Sequence, residues 1–246
     1  GFVASCFKRG IDFVNIPTTL LAMVDASVGG KTGVDLGVLK NQIGVFANPE
    51  MVLVDPEYLT TVSEREMKSG MAEIIKYGIT YDVKLLHAIR DDKDLNLNDL
   101  IVRSIEIKNE VVLQDPKEKN IRKILNFGHT LGHAIESFYL ASANKENLTH
   151  GEAIAIGMVC ESYMSEALLG FPKANVTEIK SIILNIYPKT QLLKEDFAGI
   201  MALLKHDKKN TNGQVNFVLL SNYEAYQLDC VVSEAIILES MAFYNA

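Results

Sequence analysis

The sequence predicts a short α/β segment followed by a mainly α-helical region. Three observations carry that expectation. Two β-rich runs, Phe13-Val14-Asn15-Ile16 and Met51-Val52-Leu53-Val54-Asp55, each stop at a proline, Pro17 and Pro56. Ser63-Glu64-Arg65-Glu66 then has the form of a capping box, where a Ser hydroxyl and a Glu carboxylate three residues on each satisfy an orphan N–H. Beyond it, apolar residues recur at helical rather than alternating spacing.

Taken in order, the first notable element is Val28-Gly29-Gly30-Lys31-Thr32-Gly33, which lies between the two β-runs and reads as a flexible glycine turn presenting Lys31, with Lys40 and Asn41 nearby. A helix starting near Ser63 carries Glu73 and Lys76. Leu100, Ile101, Ser104, Ile105, Lys108, Val111 and Val112 follow helical spacing and mark one long amphipathic segment. Ile154 to Leu169 is apolar almost all round and reads as a buried central helix. Ile179, Ile182, Ile183 and Ile186 form another stripe, ended by Pro188. Val215 to Leu220 and Tyr226 to Val232 predict a late hairpin after the Asn212-Gly213 turn signal, and Ser233 is placed to cap a C-terminal helix.

Composition excludes several classes. The 246 residues, 48% hydrophobic and 22% charged, suffice to bury a core as one large domain or two small ones. A net charge of −7 argues against general nucleic-acid affinity and against a polybasic membrane patch. Three scattered cysteines, Cys6, Cys160 and Cys230, fit a reducing cytosol and form no disulfide framework or metal-binding pair. The sequence shows no signal peptide and no apolar run of ~18 residues, so no membrane partner is expected. It begins at Gly1 and enters what reads as the middle of a fold, so a fragment or processed chain is expected.

The chemistry concentrates at His129-Thr130-Leu131-Gly132-His133. On a helix, positions i and i+4 share a face, so two imidazoles so placed can share a metal, or one can bind metal while the other meets a substrate. A packed or solvated helix face would also fit this spacing alone. His150 follows and Glu73 precedes. Glu73, His129 and His150 would make an oxygen–nitrogen–nitrogen set, and three protein ligands with an open position mark catalytic rather than structural zinc. His133 would then serve acid–base or phosphate contacts. If one helix covers them all, Arg122, Asn126, His129 and His133 fall on a single stripe. Glu73 and Lys76, three apart, fit either a surface pair or a metal ligand beside a substrate-binding ammonium. His87 and His206 have ordinary readings, in an amphipathic helix and a surface charge run. Gly30-Lys31-Thr32 is not a nucleotide P-loop. Such a loop needs another glycine with four residues between it and this triplet, and Asp25 stands there.

Together the runs Ile16 to Asp25, Ser27 to Gly33, Lys40-Asn41-Gln42-Ile43-Gly44, Ala72 to Gly78, Asn126 to Glu136 and His150-Gly151-Glu152-Ala153 resemble the 3-dehydroquinate synthases, from about residue 2 to the C-terminus. The resemblance implies the remainder of an NAD-binding α/β domain over residues 1–62 and a helical metal- and substrate-binding domain over 63–246. It implies conversion of 3-deoxy-D-arabino-heptulosonate 7-phosphate to 3-dehydroquinate and phosphate in the shikimate pathway of aromatic amino acid biosynthesis, with NAD regenerated within each turnover. The implied metal is zinc, or cobalt, on Glu73, His129 and His150. Asp25, Lys76, Lys108, Arg122 and Asn126 match substrate-binding positions. Lys31, Asn41, His133 and Lys208 match the pocket around the phosphate. Thr18, Thr19, Leu21, Asp25, Lys31, Lys40 and Thr61 match positions lining NAD. Arg9 matches an arginine that reaches the neighbouring subunit's site, which implies a homodimer, and the expected location is cytoplasmic. The family's Gly-rich NAD motif is missing, so this chain by itself is expected to bind NAD poorly and to lack turnover. Alternatives are another sugar-phosphate cyclase making deoxy-inosose or valiolone, an iron-dependent alcohol dehydrogenase, and a non-catalytic interaction domain.

Overall fold

The computed structural model describes residues 1–36, 39–91, 96–205 and 215–246, with the backbone alone for 39–41. They fall into two compact units, Gly1–Ile74 with Asp94–Arg122, and Ile75–Lys93 with Lys123–Ala246.

In the first unit, α1 (Phe2–Cys6) passes into a 3-10 turn over Phe7–Arg9. β1 (Val14–Asn15) is followed by a π-helical turn at Ala22–Ala26. β2 (Lys31–Leu36) and β3 (Leu39–Phe46) form an antiparallel hairpin with Gly33 opposite Gly44. The glycine-rich segment is therefore a turn that opens a hairpin. The interleaved glycines and lysines, poor strand formers, hide that hairpin from sequence reading. Leu36, Ile43 and Phe46 on it are each more than half exposed. β4 (Met51–Val52) pairs parallel with β1, Val14 opposite Met51, so both expected β-runs form strands. Asp55 then caps a 3-10 turn at Pro56–Thr61, its Oδ1 accepting the Glu57 N–H at 3.0 Å.

α2 (Glu64–Thr80) starts where the capping box predicts, with Ser63 Oγ accepting the Glu66 N–H at 3.3 Å. α3 (Val83–Asp91) carries His87. α4 (Leu97–Gln114) buries Leu100, Ile101, Ser104, Ile107, Lys108 and Val111. The expected face is right in outline, with Ile107 joining it while Ile105 and Val112 are only half-buried.

In the second unit, α5 (His129–Ala141), α6 (His150–Leu169), α7 (Lys173–Ile186), α8 (Asp196–Lys205) and α9 (Glu234–Asn245) accompany the hairpin β5 (Asn216–Asn222) and β6 (Ala225–Val231). α6 is central, packed on α5, α7, α9 and β5, and buried without interruption from Gly151 to Ser162. Burial on every side matches its all-round apolar sequence. The late hairpin turns at Tyr223-Glu224, and the Asn212-Gly213 signal lies outside the described residues. Ser233 caps α9, its Oγ accepting the Ile236 N–H at 3.5 Å.

One expectation fails. No single helix covers 122 to 133: Ile121–Asn126 is a 3-10 turn, Gly128 is left-handed at φ 79°, and α5 begins at His129. The break has a packing cause. A Cβ at Gly128 would meet Met158 Cγ at 2.5 Å and the Met158 backbone N at 3.0 Å, so the chain touches α6 here through bare backbone. Arg122 and Asn126 therefore share no helical stripe with the histidines.

Candidate functional site

The three motif histidines come together in the second unit. Candidate ligand atoms of His129, His133 and His150 lie within 4.8 Å of one another, and the ring centroids stand 5.2 to 5.7 Å apart. Two nitrogens on one tetrahedral zinc stand about 3.3 Å apart, given Zn–N near 2.0–2.1 Å, so small side-chain movements bring two imidazoles onto one ion. His129 opens α5 and His133 sits one turn on. His150 opens α6 behind a complete capping box. Thr149 Oγ1 accepts the Glu152 N–H at 3.3 Å, and Glu152 Oε2 accepts the Thr149 N–H at 2.8 Å.

Two of the rings are held by their Nδ1 atoms. His129 Nδ1 lies 3.2 Å from the Phe127 carbonyl oxygen, which can only accept, so Nδ1 is the donor in this contact and Nε2 is the nitrogen a metal would take from the neutral ring. His150 Nδ1 faces Glu136 Oε2 at 3.4 Å, on a carboxylate that is itself buried. A ring nitrogen tied to a carbonyl or carboxylate is the usual second partner of a metal-binding imidazole. The donor set fits a zinc or cobalt ion. Lys76 on α2 is 1% exposed, with its ammonium 4.8 Å from the Tyr77 ring centre. Asn126 ends the 3-10 turn before α5.

In the first unit, a second group of polar side chains assembles around Asp25. Lys108 Nζ pairs with Asp25 Oδ1 at 2.8 Å and also donates to the Asp25 carbonyl. Arg122 is 2% exposed and donates through Nη1 to the Pro116 carbonyl at 2.7 Å and through Nη2 to the Gly29 carbonyl at 2.8 Å. Burial pulls its pKa down, while the Asp25 and Asp115 charges push it back up. Gly29 must be glycine for this contact. Its φ is 100°, and a Cβ would meet Arg122 Nη2 at 2.5 Å. Lys31 pairs with Glu118. Asp115 ends α4 and accepts the backbone N–H groups of Lys119 at 3.0 Å, Asn120 at 2.6 Å and Arg122 at 3.2 Å. Burial raises its pKa, but those three bonds and the Arg122 charge outweigh burial and hold the carboxyl below its ordinary range. The Ser27 hydroxyl is buried and has no hydrogen-bond partner among the described residues. An orphaned buried hydroxyl two residues from Asp25 fits a polar ligand such as a nucleotide or sugar.

The other expected positions are simpler. Glu73 is fully buried on α2. Thr19 Oγ1 accepts the Ala22 N–H at 3.2 Å, Thr61 Oγ1 donates to the Tyr58 carbonyl at 3.3 Å, Leu21 is half-buried and Thr18 is exposed. Arg9 is exposed and left-handed at φ 67°, a conformation uncommon for a residue with a Cβ. Lys208 and the side chains of Lys40 and Asn41 lie outside what the structure describes. Sequence reading passed over Asp115, Ser27, Glu136 and Glu161. Glu161 carried the plainest signal, a carboxylate directly after the uninterrupted apolar run Ala153 to Cys160.

Comparison with known proteins joins these observations. The 3-dehydroquinate synthase N-terminal family matches residues 1–69 and the C-terminal family matches residues 70–210. Curated 3-dehydroquinate synthases match at 42–47% identity, and the chain spans 61–70% of their length. The synthase of Parabacteroides distasonis is 42% identical over 100% of this chain and 70% of its own. Among solved structures, a 2-deoxy-scyllo-inosose synthase complexed with carbaglucose-6-phosphate, NAD+ and Co2+ has a TM-score of 0.82 and 28% identity, covering 98% of this chain and 69% of that one. The 2-epi-5-epi-valiolone synthase of Streptomyces hygroscopicus subsp. jinggangensis, bound to NAD+ and Zn2+, shares the fold at TM-score 0.87 and 24% identity, covering 99% of this chain and 69% of that one.

Proposed function

The chain belongs to the 3-dehydroquinate synthase family, and on that premise we propose that it carries out the family's reaction, turning 3-deoxy-D-arabino-heptulosonate 7-phosphate into 3-dehydroquinate and phosphate. The observation that supports this most is the trio of imidazoles within 4.8 Å, two of them oriented through Nδ1. Glu73, His129 and His150 are the proposed ligands of zinc or cobalt, with residues 1–62 the remainder of an NAD-binding domain and 63–246 the metal- and substrate-binding domain. When bound, the metal supplies Lewis acidity to a substrate hydroxyl, and NAD supplies a hydride acceptor that is regenerated.

The chain's own residues do the rest. Lys76, Lys108 and Arg122 are buried cations suited to an anionic substrate, and Asn126 adds an amide. Arg122 is already tethered to two carbonyls, which aims its remaining N–H groups in advance of binding. Lys31, Asn41, Lys208 and His133 receive the phosphate end, with His133 positioned to move a proton as phosphate leaves. Asp25 holds Lys108 and, with Thr18, Thr19, Leu21, Lys31, Lys40 and Thr61, lines the nucleotide. Arg9 serves the neighbouring active site of a cytoplasmic homodimer, and the substrate is a phosphorylated keto-acid sugar. None of the described helices is long and apolar enough to cross a membrane.

The test pairs metal content with product analysis. The dialysed chain should hold about one zinc, lost in His129→Ala; assayed at the full length of its relatives, with NAD and substrate, it should release phosphate without net NADH, whereas the 246 residues by themselves should bind NAD poorly and lack turnover. Net NADH without phosphate would support the dehydrogenase reading. Phosphate from glucose 6-phosphate instead would support the inosose-type reading, which the 28% identity to that synthase favours less than the 42–47% to curated 3-dehydroquinate synthases.

A further inference from the structure

Glu161 lies in the buried stretch of α6 and is 0% exposed. Its two carboxylate oxygens accept two backbone N–H groups at the start of α5: Oε2 from Gly128 at 2.7 Å, and Oε1 from Leu131 at 3.2 Å. Leu131 is the third residue of α5, so its N–H is one of the four that a helix start leaves without an internal partner. An N-cap Ser, Thr or Asp ordinarily accepts that bond. Here the N-cap is Gly128, which has no side chain to do so and no room for one. Gly157, one turn earlier on the same face of α6, explains how the two helices come close enough. A Cβ there would stand 1.9 Å from the Gly128 carbonyl oxygen.

We infer that Glu161 is a positioning residue for the imidazole centre, capping α5 from a neighbouring helix and thereby fixing where His129 and His133 project. The inference rests on the metal reading proposed above. His129 lies between the two residues whose N–H groups Glu161 accepts, so any slackening of that turn moves its ring directly.

The experiment compares the wild-type chain, Glu161→Ala, Glu161→Gln and Val176→Ala. Val176 is 1% exposed on α7, and its truncation supplies a loss of stability away from α5. Amide hydrogen exchange at Gly128 and Leu131 is measured without metal. Zn2+ affinity is measured against a chelating dye, and the visible spectrum is recorded after loading Co2+. Glu161→Ala should speed both amides and weaken Zn2+ binding by roughly 10- to 100-fold, the usual cost of losing a residue that orients metal ligands. Its Co2+ spectrum should change. Glu161→Gln keeps one acceptor oxygen and should fall between Ala and wild type. Val176→Ala should leave affinity and spectrum unaltered. Unchanged affinity in Glu161→Ala, or an equal loss in Val176→Ala, overturns the inference. If wild type and His129→Ala bind Zn2+ alike, the metal reading fails instead. Amide exchange alone then decides whether Glu161 holds the helix start, and unchanged exchange overturns it.

Discussion

The two groups of polar side chains are held in different ways. The imidazoles hang from the first two turns of α5 and the first residue of α6, and their placement depends on how closely two helices pack through Gly128, Gly132 and Gly157. The group around Asp25 is drawn from three different elements, with the π-helical turn packed on α4 and Met23 and Val24 fully buried. Asp25 sits in a π-helical turn, Lys108 on α4 and Arg122 in a 3-10 turn, and the charges are fixed by one another and by backbone carbonyls. The first arrangement is stiff because apolar packing makes it so. The second adds to its packing a set of mutually paired charges, and a buried ion that loses its partner costs more than the pair contributed.

Substitution can break that contrast. The largest effect is expected at Gly157→Ala. The new methyl would lie 1.9 Å from the Gly128 carbonyl oxygen, so α5 must shift. A loss of about 3 kcal/mol is expected, the upper end for overpacking, despite alanine's better helix propensity. Chemical denaturation measures it, and a stable Gly157→Ala chain would show that the two helices are not set by this contact. Lys108→Met should come next, at about 1.5–3 kcal/mol, the worth of a hydrogen bond to a charged group, because it leaves Asp25 without its ammonium. Double-mutant analysis with Asp25→Asn should recover part of that loss, and simple additivity would mean the pair is not coupled.

Thr149→Ala removes one half of the capping box before His150 and should cost about 1 kcal/mol. If helix packing alone positions that ring, zinc affinity will follow the small stability change. A larger fall in affinity would show that the cap matters to the site itself. A comparable effect is expected at Asp115→Asn, about 1 kcal/mol at neutral pH, since one amide oxygen still accepts while the other acceptor is replaced by a donor. Its signature is pH dependence. The carboxyl of Asp115 is held below its ordinary value in the fold, so its stabilisation is fully present above about pH 4, the unfolded value, and is lost as pH falls through the lower folded value. Asp115→Asn should therefore flatten the decline in stability below about pH 4. An unchanged acid limb would mean that other carboxylates dominate it.

The same contrast explains what could be read in advance. His129 and His133 are four apart, and the helix period alone puts them on one face. The run Ile154 to Leu169, apolar almost all round, reads as a buried helix because a helix with so little polar face has few other places to go. The expected stripe from Arg122 to His133 failed because a left-handed Gly128 ended it. Its cause, the backbone contact with Met158, lies 30 residues away in sequence. The β2–β3 hairpin stayed hidden because its glycines and lysines lack strand propensity, and cross-strand pairing supplies what propensity does not.

By itself, then, the chain's local pattern determined α2, α3, α4, α6, α7 and α9, the caps at Ser63 and Ser233, the buried character of α6 and the histidine spacing, but not α1 or α8. These depend on periods of a few residues and on side chains that bond their own backbone. Only the tertiary structure decided that His150 Nδ1 meets Glu136, that Arg122 is tethered at Gly29, that Lys108 meets Asp25 and that Glu161 caps a helix not its own. Each of those contacts joins residues 14 to 93 positions apart. Burial of apolar faces brings such partners together, and no local periodicity records which ones will meet.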